Sequence, residues 1–313
     1  MAKSPVSQGR VLVLLNAASG TGIDAETLGY LRAHASARVG TYELVVVDEP
    51  DASSLLARAR HELDRGVIAV VVRGGDGMVQ LGVNLVAGTR IPLGIVPAGS
   101  GNDFARSAGI PYSRRSRTEQ LDRLLRALEH PDAFTESVDA MRVRCGDREV
   151  WAANSVNFGF DALVNERANV LRRVPGTLRY IAAILLVTGS FEAREFVVAF
   201  DDEDAATREV TLVAALNGKS MGGGIKVAPQ ADLADGLLDV LTVASLPRIG
   251  FLAVFPSAMI GMHTLLPQVA LRRVRRMKVV GPAELPVYAD GEPLGHGGFE
   301  VEVVPGAWRL LRA

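Results

Sequence analysis

Cysteine is almost absent: Cys145 is the only one in 313 residues. A single thiol excludes an internal disulfide and any cysteine-built zinc cage. An excess of one charge is missing too. Lys and Arg total 34 against 35 Asp and Glu, the net charge is −1, and the balance holds on both sides of Val138. Nucleic-acid binders carry a basic excess, so no nucleic-acid partner is expected. Long hydrophobic runs are also lacking. The opening MAKSPVSQGR is polar and has no apolar targeting core. The longest apolar span, Ile249 to Leu266, is broken by Pro256, His263 and two glycines, and reads as a buried or surface-lying helix rather than a bilayer crossing. The expectation is a cytoplasmic protein, peripherally associated with a membrane, in a reducing compartment. What remains is a globular composition, 48 % apolar and 22 % charged, long enough for two domains.

The first half alternates short apolar runs with helical patterns. Strands are expected at Val11 to Leu15, Leu44 to Val47, Val67 to Val72 and Ile91 to Val96, and helices from Asp24, over Asp51 to Leu63 with Asp51 as N-cap, and over Met78 to Val86. The run VIAVVV has no polar alternation, so both of its faces are buried, as in a parallel sheet. This alternation predicts a doubly wound α/β sheet. After about Ser137 the pattern changes. Segments 138–145, 149–158, 194–201, 208–217, 236–244, 271–280, 285–289 and 298–304 read as strands, with helical interruptions at about 160–189 and 247–263. An antiparallel sandwich or barrel-like sheet is expected there. The domains are thus 1–137 and 138–313, joined through the charge-rich stretch Ser113 to Arg126, with the last residues free to pack back on the first domain.

The chemistry concentrates in the turns after the apolar runs. Arg73-Gly74-Gly75-Asp76-Gly77 follows the third run. Glycines let the backbone bring its N–H groups close to a ligand, and a helix starting there adds its positive end, so the turn suits a phosphate. Pro97-Ala98-Gly99-Ser100-Gly101-Asn102-Asp103-Phe104-Ala105-Arg106 follows the fourth run, and Asn16-Ala17-Ala18-Ser19-Gly20-Thr21-Gly22 follows the first. Turns at one sheet edge form the crevice where open α/β sheets bind ligands. Two familiar phosphate motifs fail. Gly218-Lys219-Ser220 has Val213 where a Walker loop needs glycine, and Gly99-Ser100-Gly101 has Phe104 where a dinucleotide fingerprint needs its third glycine.

Gly74 to Gly77, Pro97 to Arg106 and Asp290-Gly291-Glu292 together resemble the diacylglycerol kinase and sphingosine kinase catalytic family, and most of all its soluble bacterial lipid kinases. The likeness runs from Asn16 to Glu292 with the motifs in family order. It implies an α/β nucleotide-binding domain, a β-sandwich lipid-binding domain and a cleft between them. By that resemblance Asn16 and Ser19 lie in the first nucleotide loop, with Ala17 where relatives usually have proline. Gly74, Gly75, Asp76 and Gly77 form the phosphate loop, with Met78 where relatives usually have threonine. Gly99, Ser100 and Asn102 are further nucleotide contacts, Asp103 is the second acidic position, and Glu292 is the carboxylate that acts as general base. Asp232, Asp235 and Leu237 match a structural Mg²⁺ loop of some bacterial relatives.

The resulting expectation is an ATP- and Mg²⁺-dependent kinase with Glu292, Asp76 and Asp103 as its catalytic carboxylates. It phosphorylates a membrane lipid, diacylglycerol first, with sphingoid bases, ceramide or monoacylglycerol as other acceptors. An NAD kinase shares the Gly-Gly-Asp-Gly loop but not the Gly-Asn-Asp-Phe-Ala-Arg stretch or the late Asp-Gly-Glu. A catalytically weak lipid-binding protein is the reading from a different class. A homodimer is left open. The run Leu271 to Lys278 holds five bases, read either as a solvated edge strand or as a patch drawn to anionic lipid.

Overall fold

The computed structural model describes residues 9–15, 25–35, 42–112, 117–171, 174, 176–189, 192–245 and 256–312. The chain divides into two compact units: residues 1–99, 110–138 and 307–313 form the first, and 100–109 with 139–306 the second.

The first unit contains β1 (Gly9–Leu15), α1 (Ala25–Ala35), β2 (Tyr42–Asp48), α2 (Ala52–Asp64), β3 (Ala69–Gly74), α3 (Asp76–Val86) and β4 (Pro92–Pro97). The strands run parallel in the order β4-β3-β1-β2. Asp51 caps α2 as its sequence position indicates, accepting from the N–H groups of Ser53 and Ser54 at 3.0 and 2.9 Å. All six residues of β3 are buried, because helices cover both faces of the sheet. On one face Val11, Val13, Ala69 and Val71 share a core with Leu31 of α1 and with Leu121, Leu124 and Leu125. On the other, Gly82 of α3 sits so close to Val72 and Leu93 that a Cβ there would meet both within 3.0 Å. The sheet is therefore doubly wound.

The second unit opens with a short piece of the chain's first half, α4 (Asp103–Ser107); α5 (Arg117–Ala127) then returns to the first unit. From there come β5 (Thr135–Cys145), β6 (Arg148–Ala152), β7 (Ser155–Gly159), α6 (Phe160–Val170), α7 (Gly176–Thr188), β8 (Arg194–Phe200), β9 (Ala206–Leu216), β10 (Leu238–Ala244), β11 (Val269–Val274), β12 (Arg276–Val280), β13 (Pro286–Ala289), β14 (Glu292–His296) and β15 (Gly298–Leu311). Neighbouring strands are antiparallel in the order β14-β13-β7-β9-β8-β12-β15, with β10 on β9, β11 on β10, and β5 beside β6. Strand β9 faces two cores. Val213 and Ala215 point into the sandwich interior with Phe158, Phe196 and Phe299. Leu212, Ala214 and Leu216 point outward under α6 and α7. Phe158 and Phe196 meet edge to face, with centroids 5.0 Å apart. The last residues of β15, Arg309 to Leu311, pair in parallel with Pro92 to Gly94 of β4 inside the first unit.

Three expectations change. The strand expected at 149–158 is two strands, because the N–H groups of Ala153, Asn154 and Ser155 turn toward the carboxylate of Asp290. The strand expected at 271–280 breaks at Arg275, where the N–H groups of Arg275 and Arg276 both donate to Asp201 Oδ1. Its first half then pairs with β10 and its second with β8 and β15. Of the helix expected at 247–263, the described residues 256–265 hold only one helical turn and a 3₁₀ turn, Met262–Leu265, while 247–255 lie outside the described residues. Among the described residues no helix is long and apolar enough to cross a membrane.

Asp139 fixes the entry to the second unit. Its Oδ2 accepts from Gly236 N–H at 2.7 Å and its Oδ1 from Gly306 N–H at 2.8 Å, and it is 2 % exposed. Removing the carboxylate strands two backbone donors at about 1–3 kcal/mol each. Asp139→Ala is expected to lose about 3 kcal/mol or more in urea unfolding, and Asp139→Asn, which keeps one acceptor, about half of that.

Candidate functional site

In the first unit, β3 and β4 end side by side, Gly74 opposite Pro97, and Ala98 N–H donates to Gly74 O at 2.8 Å. Gly75 is the N-cap of α3 and Asp76 its first residue. Glycine at the cap offers no side-chain oxygen to the first-turn N–H groups, which suits them to an incoming phosphate. A Cβ on Gly75 would stand 3.1 Å from Gly99 Cα, so the two loops touch backbone to backbone. Met78 is buried, and its Cγ fills the space a Cβ on Gly74 would need, 2.3 Å away. Its side chain therefore packs against Gly74 as part of the loop's own filling. Asn16 and Ser19 lie outside the described residues.

Ser100, Asn102 and Asp103 belong to the second unit, on the far side of the chain's passage after Gly99. Asn102 takes the left-handed conformation, φ 55°, that asparagine tolerates better than most side chains. Asp103, expected among the catalytic carboxylates, has a different engagement. It is 6 % exposed and accepts from Gly223 N–H at 2.8 Å and Gly224 N–H at 2.7 Å. Burial raises its pKa, and the two N–H groups oppose the rise. This carboxylate holds the glycine turn 222–224 through one N–H on each oxygen.

Glu292 sits at the start of β14 and is exposed. Its turn is set by Asp290, a residue that sequence reasoning quoted but gave no role. The Asp290 carboxylate is buried and accepts from Ala153 N–H at 2.6 Å, Asn154 N–H at 2.8 Å and Ser155 N–H at 2.9 Å. Its own N–H returns a bond to Ser155 O at 2.8 Å. Positive φ at Asp290 and Gly291, 49° and 83°, then swings Glu292 outward. Burial pushes the Asp290 carboxyl up to about 6, the three N–H groups hold it down, and the nearby Glu292 charge adds to the rise.

Hydrogen bonds join this turn to the Asp103 helix. Asn154 Nδ2 donates to Ser220 O at 2.9 Å, Asn154 O accepts from Asn217 and Gly218 N–H, and Lys219 N–H donates to Ser107 Oγ at 2.9 Å. A Cβ on Gly218 would fall 1.9 Å from Asn154 Oδ1. The Gly218-Lys219-Ser220 stretch that fails as a Walker loop is thus a packing surface for Asn154. Two motifs nearly two hundred residues apart in sequence share one polar framework within the second unit.

The Mg²⁺ loop does not fit an ion as it is folded. Asp235 pairs through Oδ2 with Arg273 and accepts Leu237 N–H on Oδ1 at 3.0 Å, while Asp232 Oδ1 accepts Ala234 N–H at 3.0 Å. Among the described residues no group of three or more His, Cys, Asp or Glu could hold a metal. A cation bound there would compete with Arg273 for the Asp235 carboxylate. The basic run is similarly engaged: Arg272 pairs with Glu203, Arg273 with Asp235, Arg276 with Asp202 and Lys278 with Glu300. Four of its five bases therefore meet an acid, and the run presents little net charge.

The pattern of the family described as "Diacylglycerol kinase catalytic domain" matches residues 10–132, and that of the "YegS C-terminal NAD kinase beta sandwich-like domain" matches 154–312. A diacylglycerol kinase of Mycobacterium tuberculosis strain H37Rv is 35 % identical over 306 residues, 97 % of this chain and 95 % of its own. The chain belongs to the diacylglycerol kinase family. It is a lipid kinase. The fold agrees: a crystal structure of a diacylglycerol kinase from Bacillus anthracis str. Sterne has a TM-score of 0.68 at 19 % identity, covering 98 % of each chain. An NAD kinase from Archaeoglobus fulgidus in complex with ATP has a TM-score of 0.53 at 13 % identity, covering 97 % of this chain and 93 % of that one. At these identities the two structures speak for the fold alone.

Two outcomes are expected of this lipid kinase. The Asp290 carboxyl titrates higher folded than unfolded, so the native state takes up a proton between about pH 4 and 6. Stability from this group is present below about pH 4 and falls as pH rises through 6, by up to about 3 kcal/mol. The unfolding free energy of the wild type relative to Asp290→Asn should shrink by that amount from pH 4 to 7; a pH-independent gap would mean an ordinary carboxyl. Secondly, millimolar Mg²⁺ should leave the melting temperature unchanged, and Asp235→Asn, which weakens a partly exposed ion pair, should cost under about 1 kcal/mol.

Proposed function

We propose that this lipid kinase transfers the γ-phosphoryl group of Mg·ATP to the free hydroxyl of diacylglycerol, giving phosphatidic acid and ADP, with the acceptor drawn from a bilayer surface. The observation that carries the reading is the Asp290 clamp. A buried carboxylate tied to three N–H groups is a costly way to hold an exposed turn, and what the turn presents is Glu292. The full-length likeness to a protein named diacylglycerol kinase supports the choice of acceptor.

Phosphoryl transfer asks a protein mainly for positioning and for neutralisation of phosphate charge. The Gly74 to Gly77 loop and the start of α3 supply N–H groups for the donor's phosphates, and Asp76 is the carboxylate suited to the Mg²⁺ that ATP brings. As the new O–P bond forms and the bond to ADP breaks, the acceptor hydroxyl loses its proton to Glu292, which releases it to water. Asp103 acts through the 222–224 turn and touches neither reactant in this scheme.

Turnover should be highest with diacylglycerol in a panel that also contains monoacylglycerol, ceramide, sphingosine and NAD; a preference for another member reassigns the acceptor. Glu292→Gln keeps size and hydrogen-bonding reach but takes no proton. Its kcat should fall ~10²–10⁴-fold with ATP affinity nearly unchanged. Normal kcat would remove Glu292 from the reaction, and a selective loss of ATP affinity would make it a donor ligand.

A further inference from the structure

The turn that leads into β10 gathers acid. Asp232, Asp235 and Asp239 fall within eight residues, and Asp139 reaches the same turn by accepting from Gly236 N–H at 2.7 Å. Asp139 and Asp239 are buried, at 2 % and 4 % exposure. Carboxylates brought this close repel one another, and burial adds to the cost, so the turn calls for a positive charge nearby. A divalent ion is the answer that the family resemblance implies for Asp232, Asp235 and Leu237.

This chain supplies the charge from a strand. Asp239 of β10 lies directly opposite Arg273 of β11, and residues paired in this way carry their Cβ atoms about 5 Å apart. Side chains alternate along a strand, so both project on the face that carries Leu241 and Val269. From there the Arg273 guanidinium reaches back to Asp235 Oδ2. Arg272 projects on the opposite face, where it pairs with Glu203 and lies over the Phe200 ring, 4.7 Å from its centroid. Alternation thus delivers one arginine of the pair, and not the other, to the acidic turn.

The remaining acceptors of the turn are spent on its own backbone. Asp235 Oδ1 takes Leu237 N–H and Asp232 Oδ1 takes Ala234 N–H, both at 3.0 Å, and Asp139 gives one oxygen to Gly236 and the other to Gly306. These bonds set the shape of the turn, and Arg273 answers its charge. A tethered guanidinium differs from Mg²⁺ in two ways that matter here. It does not dissociate, and it need not be stripped of a tightly held water shell before it can pair.

We propose that Arg273 is the built-in cation of the 231–239 turn and stands in for the divalent ion that the resemblance implies. The second unit then takes no structural ion of its own, and its stability is indifferent to free Mg²⁺. The proposal concerns this turn alone and holds whether or not Mg²⁺ accompanies the phosphoryl donor.

Titration of the full chain with MgCl₂, without nucleotide, tests it by calorimetry and by melting temperature. The wild type should show no saturable Mg²⁺ binding at millimolar concentration. Arg273→Met keeps much of the aliphatic stem and removes the charge. It should gain one Mg²⁺ site per chain, and saturating Mg²⁺ should raise its melting temperature by about 2–4 °C. Arg273→Lys keeps the charge and should stay insensitive, and Asp235→Asn added to Arg273→Met should abolish the gain. Arg273→Gln serves as the second charge-removing variant if Arg273→Met fails to fold. Saturable binding of Mg²⁺ by the wild type overturns the proposal, because the turn would then hold an ion beside Arg273. A folded charge-removing variant that gains no Mg²⁺ binding overturns it as well, because Arg273 would then replace nothing.

Discussion

The carboxylate of Asp290 is the constraint on which the second unit is organised. Three backbone N–H groups that an uninterrupted strand would send to a neighbour converge on it instead. The consequence is local and long-range at once. The strand over 148–159 is cut in two, the exposed turn bearing Glu292 gains a rigid base, and Asn154 is held where its side chain reaches the turn after β9. Buried acceptors of this kind are high-stakes: fully satisfied they specify one arrangement, and truncated they leave several orphaned donors. Asp103 and Asp139 repeat the device: Asp103 takes two N–H groups of the 222–224 turn, and Asp139 takes those of Gly236 and of Gly306 in β15. Three carboxylates of the second unit thus serve as anchors for loops, and the functional reading depends on separating them from the carboxylates left exposed.

Much of the fold was legible in the order of residue types. The unbroken VIAVVV run announces a strand with both faces covered, and the N-cap at Asp51 marks where α2 begins. The breaks in the second unit were not legible, because their causes lie far off in the chain. Ala153 and Asp290 are 137 residues apart, and Arg275 is 74 from Asp201. Hydropathy along 149–158 and 271–280 is strand-like throughout, and nothing nearby signals that a remote side chain will claim the N–H groups.

The site divides the same way. The glycine turns after β3 and β4 can be found from composition and position, since their chemistry is in the backbone. Asp103 stands out in a one-dimensional reading by its place in the glycine-rich stretch, but its contact with Gly223 and Gly224, about 120 residues on, has no local signal. Met78 stands where relatives usually have threonine, and its burial against Gly74 makes it part of the loop's packing, which the sequence alone does not signal.

The parallel pairing of Arg309–Leu311 with β4 has a consequence for biosynthesis. Synthesis delivers β4 roughly two hundred residues before the strand that covers its edge, so during that interval a nascent first unit exposes an unpaired, fully apolar strand. The ribosome must therefore deliver Arg309 to Leu311 before the sheet made earlier is complete. Pieces ending before Arg309 should be far more prone to self-association than their apolar content alone would suggest, with the bare edge of β4 as the template.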